Sequence, residues 1–207
     1  MINITELSKM NLPPQQGRKT ETIQFVPGIW VNGKCLWLHN CTEKVIYDEE
    51  LIFIVKQEQI HSKIRFSSLY VSNHSDQKKD INILAMHYFS NVGQDQLTFI
   101  SPKDNHIFHH ANNEILLVNG RSNKMGTKVC TVIPLWHAHT DQIWSSVDKG
   151  NLKYQPMAKG PAASIFAMKV SIAPRETGKM TTWTIAGSNK NDLLSMENAL
   201  TKRFENR

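Results

Sequence analysis

Short runs of apolar and β-branched residues, each closed by Gly, Pro, Asn or Asp, follow one another along this chain from Ile23 onward. Between Ile81 and Phe89 the residues alternate between two sets, and both sets are mostly apolar. Successive side chains of a strand point to opposite faces, so this run predicts a central strand covered on both sides. Many short strands separated by turn signals predict an all-β fold. An antiparallel two-sheet β-sandwich buries their apolar faces most economically.

Helical spacing of apolar residues occurs near the C-terminus, where it predicts one helix at about 189–205. Ser188 and Asn191 are the alternative N-cap residues. The residues predicted to form the apolar stripe of this helix are Leu193, Met196, Leu200 and Phe204.

Two further features of the chain concern its start and one irregular strand. Residues 1–20 are polar and contain adjacent prolines, which predicts a flexible N-terminal arm in front of a single domain at 21–207. The alternation within 60–72 changes phase, which predicts a β-bulge near Ser67 and Ser68.

Composition narrows the class of protein and its compartment. The chain has 207 residues, with 24 Lys and Arg against 18 Asp and Glu, and its basic residues are scattered rather than gathered into a stripe. This scatter favours a solvated surface over a nucleic-acid site. No apolar run is long enough to span a membrane, and the start does not read as a secretory signal. Three cysteines then predict free thiols in a reducing cytoplasm, with Cys130 in a buried strand.

Five short segments of strand and turn residues follow one another in a characteristic order, at 73–76, 97–102, 160–166, 170–177 and 183–188. Their order resembles the N-terminal β-sandwich ("supersandwich") domain of bacterial glucoamylases and related glycoside hydrolases. In those enzymes a helical barrel follows the sandwich and carries the catalytic carboxylates. The resemblance therefore implies a sandwich without the catalytic barrel, with no catalytic residues to transfer, that acts as an interaction or carbohydrate-contacting module.

Histidine is the residue type that most suggests chemistry. In a strand, His137 and His139 would point to the same face, and two imidazoles on one face can bind a divalent transition metal. His109 or His110, from a second histidine cluster, can complete such a site together with Asp141 or Glu114. The segment also follows Pro134, so a loop with surface or half-buried histidines is the other interpretation.

Tryptophan is the second signal, because exposed aromatic rings stack on sugars whereas buried rings fill a core. Two tryptophans flank the His-Ala-His segment, with polar residues between them. We predict that this region contacts a ligand. The predicted ligand-binding residues are Trp136, Trp144, His137, His139, Asp141 and Gln142.

Three functions remain open at this point. The first is a non-catalytic cytoplasmic binding or assembly module, whose partner is a carbohydrate, a protein or a second copy of the chain joined at a strand edge. The second is a metal-dependent enzyme built on His137, His139 and His109. The third is a nucleic-acid contact protein, whose binding would fall steeply with salt. No Gly-x-Ser-x-Gly elbow and no phosphate-binding loop is present.

Overall fold

The structure is a computed structural model and describes residues 23–90, 95–111, 114–122 and 127–205. Within this range the chain forms two large antiparallel sheets, a two-stranded pair and one α-helix, so the predicted all-β sandwich is confirmed. The predicted arm at 1–20 lies outside the described residues. In the described part of the chain, no helix is both long and apolar enough to cross a membrane.

The strands are numbered in chain order. The elements are β1 (Ile23–Val31), β2 (Lys34–Trp37), β3 (Glu43–Ile46), β4 (Leu51–His61), β5 (Ile64–Asn73), β6 (Lys79–Phe89), β7 (Leu97–Ile100), β8 (Ile107–Ala111), β9 (Glu114–Ser122), β10 (Thr127–Pro134), β11 (Trp144–Ser146), β12 (Asn151–Leu152), β13 (Met157–Lys159), β14 (Ala162–Ile172), β15 (Thr177–Gly187) and α1 (Lys190–Glu205). One sheet has the order β10-β14-β6-β1-β2, the other β13-β7-β8-β9-β15-β5-β4-β3, and β11 pairs with β12.

Three layers of buried side chains follow from the alternation along the strands. The main core lies between the two sheets and includes Phe53, Leu69 and Ile83. A second cluster covers the outer face of the five-stranded sheet, where Leu84 of β6 packs beneath a long loop. A third cluster lies beneath α1 on the outer face of the eight-stranded sheet. The central strand β6 is therefore buried on both sides, as its sequence predicts.

The predicted β-bulge near Ser67 and Ser68 is wrong. β5 pairs in continuous register with both β4 and β15 through this region, and the irregularity of β4 lies after Gln59. The phase change has another cause: Phe66 packs outward beneath α1, whereas Leu69 packs inward in the main core. An apolar residue on each face mimics a bulge when only the sequence is read.

The helix begins at Lys190 and is capped by Asn189 rather than by Ser188 or Asn191. The backbone N–H of Asp192 donates to Asn189 Oδ1 at 2.9 Å, which satisfies one of the free donors of the first turn.

Candidate functional site

The His-Ala-His segment joins two short 3-10 turns, Leu135–His137 and Asp141–Ile143. Pro134 ends β10 and directly precedes the first turn. The strand geometry that would place His137 and His139 on one face is therefore absent here. Of the two interpretations open from the sequence, the loop is the observed one.

Residues 135–143, named here the Trp136 loop, lie over the outer face of the five-stranded sheet. Ala138 and Ile143 are buried in the cluster that includes Leu84 and Met86 of β6. The Thr140 hydroxyl donates to the backbone oxygen of His137 at 3.0 Å and closes the turn. Buried anchors and internal hydrogen bonds thus fix the backbone of the loop.

Trp136 stands out from this fixed loop with 66 % of its surface exposed. Its ring lies 5.8 Å from the ring of His137 in an edge arrangement, with an angle of 76° between the planes. Asp141 and Gln142 are exposed on the same loop. An apolar ring beside polar side chains is a surface on which a hydroxylated ring can stack.

Two of the residues singled out from the sequence lie in the interior. Trp144 is only 8 % exposed and packs in the cluster beneath the loop, so its ring anchors the loop. His109 is fully buried in β8 of the other sheet. Its Nε2 lies 2.8 Å from the Ser164 hydroxyl and its Nδ1 3.2 Å from the Thr98 hydroxyl. The structure therefore does not bring His109 to the Trp136 loop.

His139 has a partner that sequence reasoning missed. Its ring lies 5.0 Å from that of His39, 6.2 Å from that of Trp37 and 6.5 Å from that of Tyr88. Partial burial and the neighbouring His39 lower the pKa of His139. His39 follows β2, far away in the chain, so no local pattern links the two histidines. Among the residues that the structure describes, no three of His, Cys, Asp and Glu gather closely enough to hold a metal ion.

A cleft of about 500 Å³ opens between the two sheets and is lined by residues of β1, β4, β5, β6 and β15. We call it the polar cleft, because the inward positions of three adjacent strands change from apolar to polar there. The last apolar row consists of Val55, Leu69 and Met180. The next row, the inner polar row, consists of Gln57, Ser67 and Thr182, and the outer polar row consists of Gln59, Arg65 and Thr184.

His87 lines the polar cleft from the opposite sheet. It is 1 % exposed, and its ring lies 5.2 Å from Phe25 and 6.2 Å from Phe166. Burial lowers the pKa of His87 to about 3, and the nearby His109 adds to this, so the imidazole is neutral. Its Nδ1 is buried and has no hydrogen-bond partner within the described residues. Such an atom costs about 1–3 kcal/mol, which makes it a natural contact for a bound ligand.

A third polar cluster joins α1 to the eight-stranded sheet. Buried Glu197 accepts hydrogen bonds from Asn119 Nδ2 at 2.7 Å and from Trp183 Nε1 at 3.0 Å. Its second oxygen lies 2.8 Å from His106 Nε2, and His106 Nδ1 lies 3.0 Å from Asp104. Burial opposes charge on both partners, but these contacts outweigh it, so the pKa of His106 is raised and that of Glu197 is lowered. The cluster holds the helix in place, and of its members Trp183 is also one of the residues that line the polar cleft.

Fold and sites together define an antiparallel β-sandwich with a fixed aromatic loop on one outer face and a polar cleft between its sheets. No family model and no curated protein matches the chain. Among solved structures, the chain is similar to one described as a kojibiose phosphorylase from the human microbiome, at 13 % identity and a TM-score of 0.43. The match covers 89 % of this chain but only 26 % of the neighbour. A likeness of this degree says nothing about the ligand or activity of this chain.

Proposed function

We propose that this protein is a non-catalytic binding module that contacts carbohydrate through the Trp136 loop. The observation that carries the proposal is the exposed indole of Trp136 on a backbone held by buried anchors. Large aromatic side chains gain by covering an apolar face, and the face of a sugar ring offers one. Because the loop is already fixed, little conformational entropy is lost when a ligand binds.

Binding of a sugar also requires hydrogen bonds to its hydroxyl groups, and polar side chains around Trp136 can make them. His137, Asp141 and Gln142 supply an imidazole, a carboxylate and an amide on the same loop. In this arrangement Trp144 supports the loop from beneath, and His139 borders it beside His39.

The test is the binding of Trp136→Ala to a panel of soluble polysaccharides, measured by retardation in polysaccharide-containing native gels and by calorimetry. The matched control is Tyr154→Ala, because Tyr154 is equally exposed, at 68 %, but lies outside the loop. We expect Trp136→Ala to weaken binding about tenfold or more without loss of stability. Equal binding by both variants, or no binding by the unmodified protein, would rule out this surface.

A second candidate function is metal-dependent chemistry at the histidines of the loop. The observation that favours it is the contact between the rings of His39 and His139. Two imidazoles can bind a transition ion while water completes its coordination. The test is elemental analysis of purified protein and of the His39→Ala/His139→Ala double variant, with exposed His110→Ala as the control. Metal lost only from the double variant would favour this candidate.

Compartment and partner belong to the same proposal. Cys35, Cys41 and Cys130 are all free, which supports a reducing compartment such as the cytoplasm. A protein partner, including a second copy of the chain, can pair with an edge strand. The strand β10 is such an edge and exposes Val129. Light scattering coupled to size-exclusion chromatography measures whether copies associate.

A further inference from the structure

The polar cleft has the chemistry of a ligand site of its own, separate from the Trp136 loop. The two polar rows lie side by side on β4, β5 and β15 at the level where the hydrophobic core stops. Gln57, Gln59 and Arg65 are exposed at the mouth of the cleft, whereas Ser67, Thr182 and Thr184 are buried, and the Thr182 hydroxyl donates to the backbone oxygen of Asn119 at 2.9 Å. Polar groups exposed in a cleft can exchange their bound water for a hydroxylated ligand. Within the described residues, the Nδ1 of His87 is a buried group of the cleft that lacks a hydrogen bond and that such a ligand can reach.

Arg65 sets the charge of this cleft. It is exposed, lies in the outer polar row between Gln59 and Thr184, and has no ion-pair partner within the described residues. Glu58 also borders the cleft, but it alternates with Gln57 and Gln59, so its side chain belongs to the other face of β4. An arginine that lacks a carboxylate partner favours an anion, which it can bind through two parallel hydrogen bonds.

A single cation suits one negative charge better than two. A phosphate monoester carries close to two charges near neutral pH, and one arginine leaves part of that charge uncompensated. A carboxylate carries one. Among the other lining side chains, the amides, the hydroxyls and the neutral ring of His87 can donate to or accept from alcohol groups.

We infer that the polar cleft binds a small polyhydroxylated carboxylate, with its carboxylate on Arg65 and its hydroxyl groups on the polar rows and His87. The cleft volume of about 500 Å³ lies in the range of small-molecule sites. The unpartnered Nδ1 of His87, at the buried wall opposite the two rows, receives a hydrogen bond partner in this arrangement.

Calorimetric titration with three probes tests the inference: D-glucuronate, D-glucose and D-glucose 6-phosphate. We expect glucuronate to bind most tightly to the unmodified protein. Arg65→Met should weaken glucuronate binding about tenfold or more and abolish its preference over glucose. Gln57→Ala should weaken the binding of both glucose and glucuronate while keeping the preference for glucuronate. Lys44→Met is the matched control, because it removes one positive charge from an exposed position on β3 of the same sheet. We expect it to leave the binding of all three probes unchanged.

Three results would overturn the inference. They are the absence of binding by all three probes at millimolar concentration, a preference for the phosphate, and a preference for glucuronate that survives Arg65→Met. Trp136→Ala is expected to leave these titrations unchanged, because that residue does not line the cleft. The proposal for the cleft and the proposal for the Trp136 loop can therefore be disproved independently.

Discussion

His87 and Tyr88 are consecutive residues of β6, and their side chains lie on opposite sides of the five-stranded sheet. His87 lines the polar cleft, while the ring of Tyr88 lies 6.5 Å from that of His139 on the Trp136 loop. Strand alternation thus places the two candidate sites back to back across one strand. A substitution in either residue should be assayed at both sites.

The acid sensitivity of folding is expected to depend on His87. Burial, with a smaller contribution from His109, lowers the pKa of His87 to about 3 from 6.5. Below pH 6.5 the unfolded chain takes up a proton that the folded chain does not. The contribution of neutral His87 to the free energy of unfolding is therefore fully present above pH 6.5. It is lost as the pH falls toward 3, by about 1.4 kcal/mol per pH unit.

His87→Leu removes this sensitivity and also removes the unpartnered Nδ1. We expect the free energy of unfolding near neutral pH to stay equal or to rise, and its decline between about pH 6 and pH 4 to become shallower by about 1 kcal/mol per unit. Urea unfolding at several pH values measures both quantities. His110→Leu, at an exposed position of β8, controls for the loss of an imidazole. An unchanged slope in His87→Leu would contradict the prediction.

The sandwich could be predicted because it depends on alternation within single strands, which is visible in the sequence. An Asn-Gly pair is also a local signal, because both residues tolerate the positive φ of a two-residue hairpin turn, and the structure joins β1 and β2 at Asn32 and Gly33. The sequence does not distinguish a loop from a strand at the His-Ala-His segment, because a 3-10 turn after Pro134 and a short strand have similar sequences.

The polar cleft could not be predicted from the sequence, although its residues alternate regularly. Gln57 and Gln59 continue the inward set of β4, and Thr182 and Thr184 continue that of β15. Each pair alone resembles the solvated end of a strand. They form a site only because β5 lies between two strands that are more than a hundred residues apart in the chain. Sheet order over such a distance is set by tertiary packing, which local patterns do not encode.

Glu197 is expected to be the main polar anchor of the helix α1. Glu197→Ala leaves three donors without their acceptor, on buried Asn119 and Trp183 and on half-buried His106. We expect the free energy of unfolding to fall by about 3 kcal/mol, whereas Asn198→Ala, at the exposed neighbouring position, should change it by less than about 0.5 kcal/mol. Chemical denaturation measures both variants. Similar small losses would mean that the apolar contacts of α1 alone hold it.

The thiol of Cys35 is expected to resist alkylation in the folded protein. Burial raises its pKa to about 12, and nearby Asp141 adds to the rise. Because the thiolate is the reactive form, labelling of Cys35 by iodoacetamide at about pH 8 should be slow. Peptide mass spectrometry at timed intervals measures it, with urea-unfolded protein as the fully reactive reference. Because Cys35 packs against the cluster beneath the Trp136 loop, rapid native labelling would show that the loop opens.

Gly150 fixes the segment between the Trp136 loop and β12. Its φ is +64°, and a Cβ there would lie 2.5 Å from Asn82 Nδ2 and 2.7 Å from the ring of Trp30. Asn82 Nδ2 also donates to the Gly150 oxygen at 2.7 Å, and Trp30 Nε1 donates to the Val147 oxygen at 2.6 Å. Gly150→Ala therefore combines left-handed strain with displacement of two buried partners, and we expect a loss of about 2–4 kcal/mol.

Gly33→Ala separates these two contributions. Gly33 has a φ of +78°, but the atom nearest to its Cβ position is 3.8 Å away, so alanine there meets backbone strain alone. We expect a loss of about 1 kcal/mol for this control, measured by urea unfolding beside Gly150→Ala. An excess loss at Gly150 measures how firmly its segment packs on β1 and β6. Equal losses would show that the segment yields easily, and the support that it gives to the buried Trp144 and the Trp136 loop would then be weak.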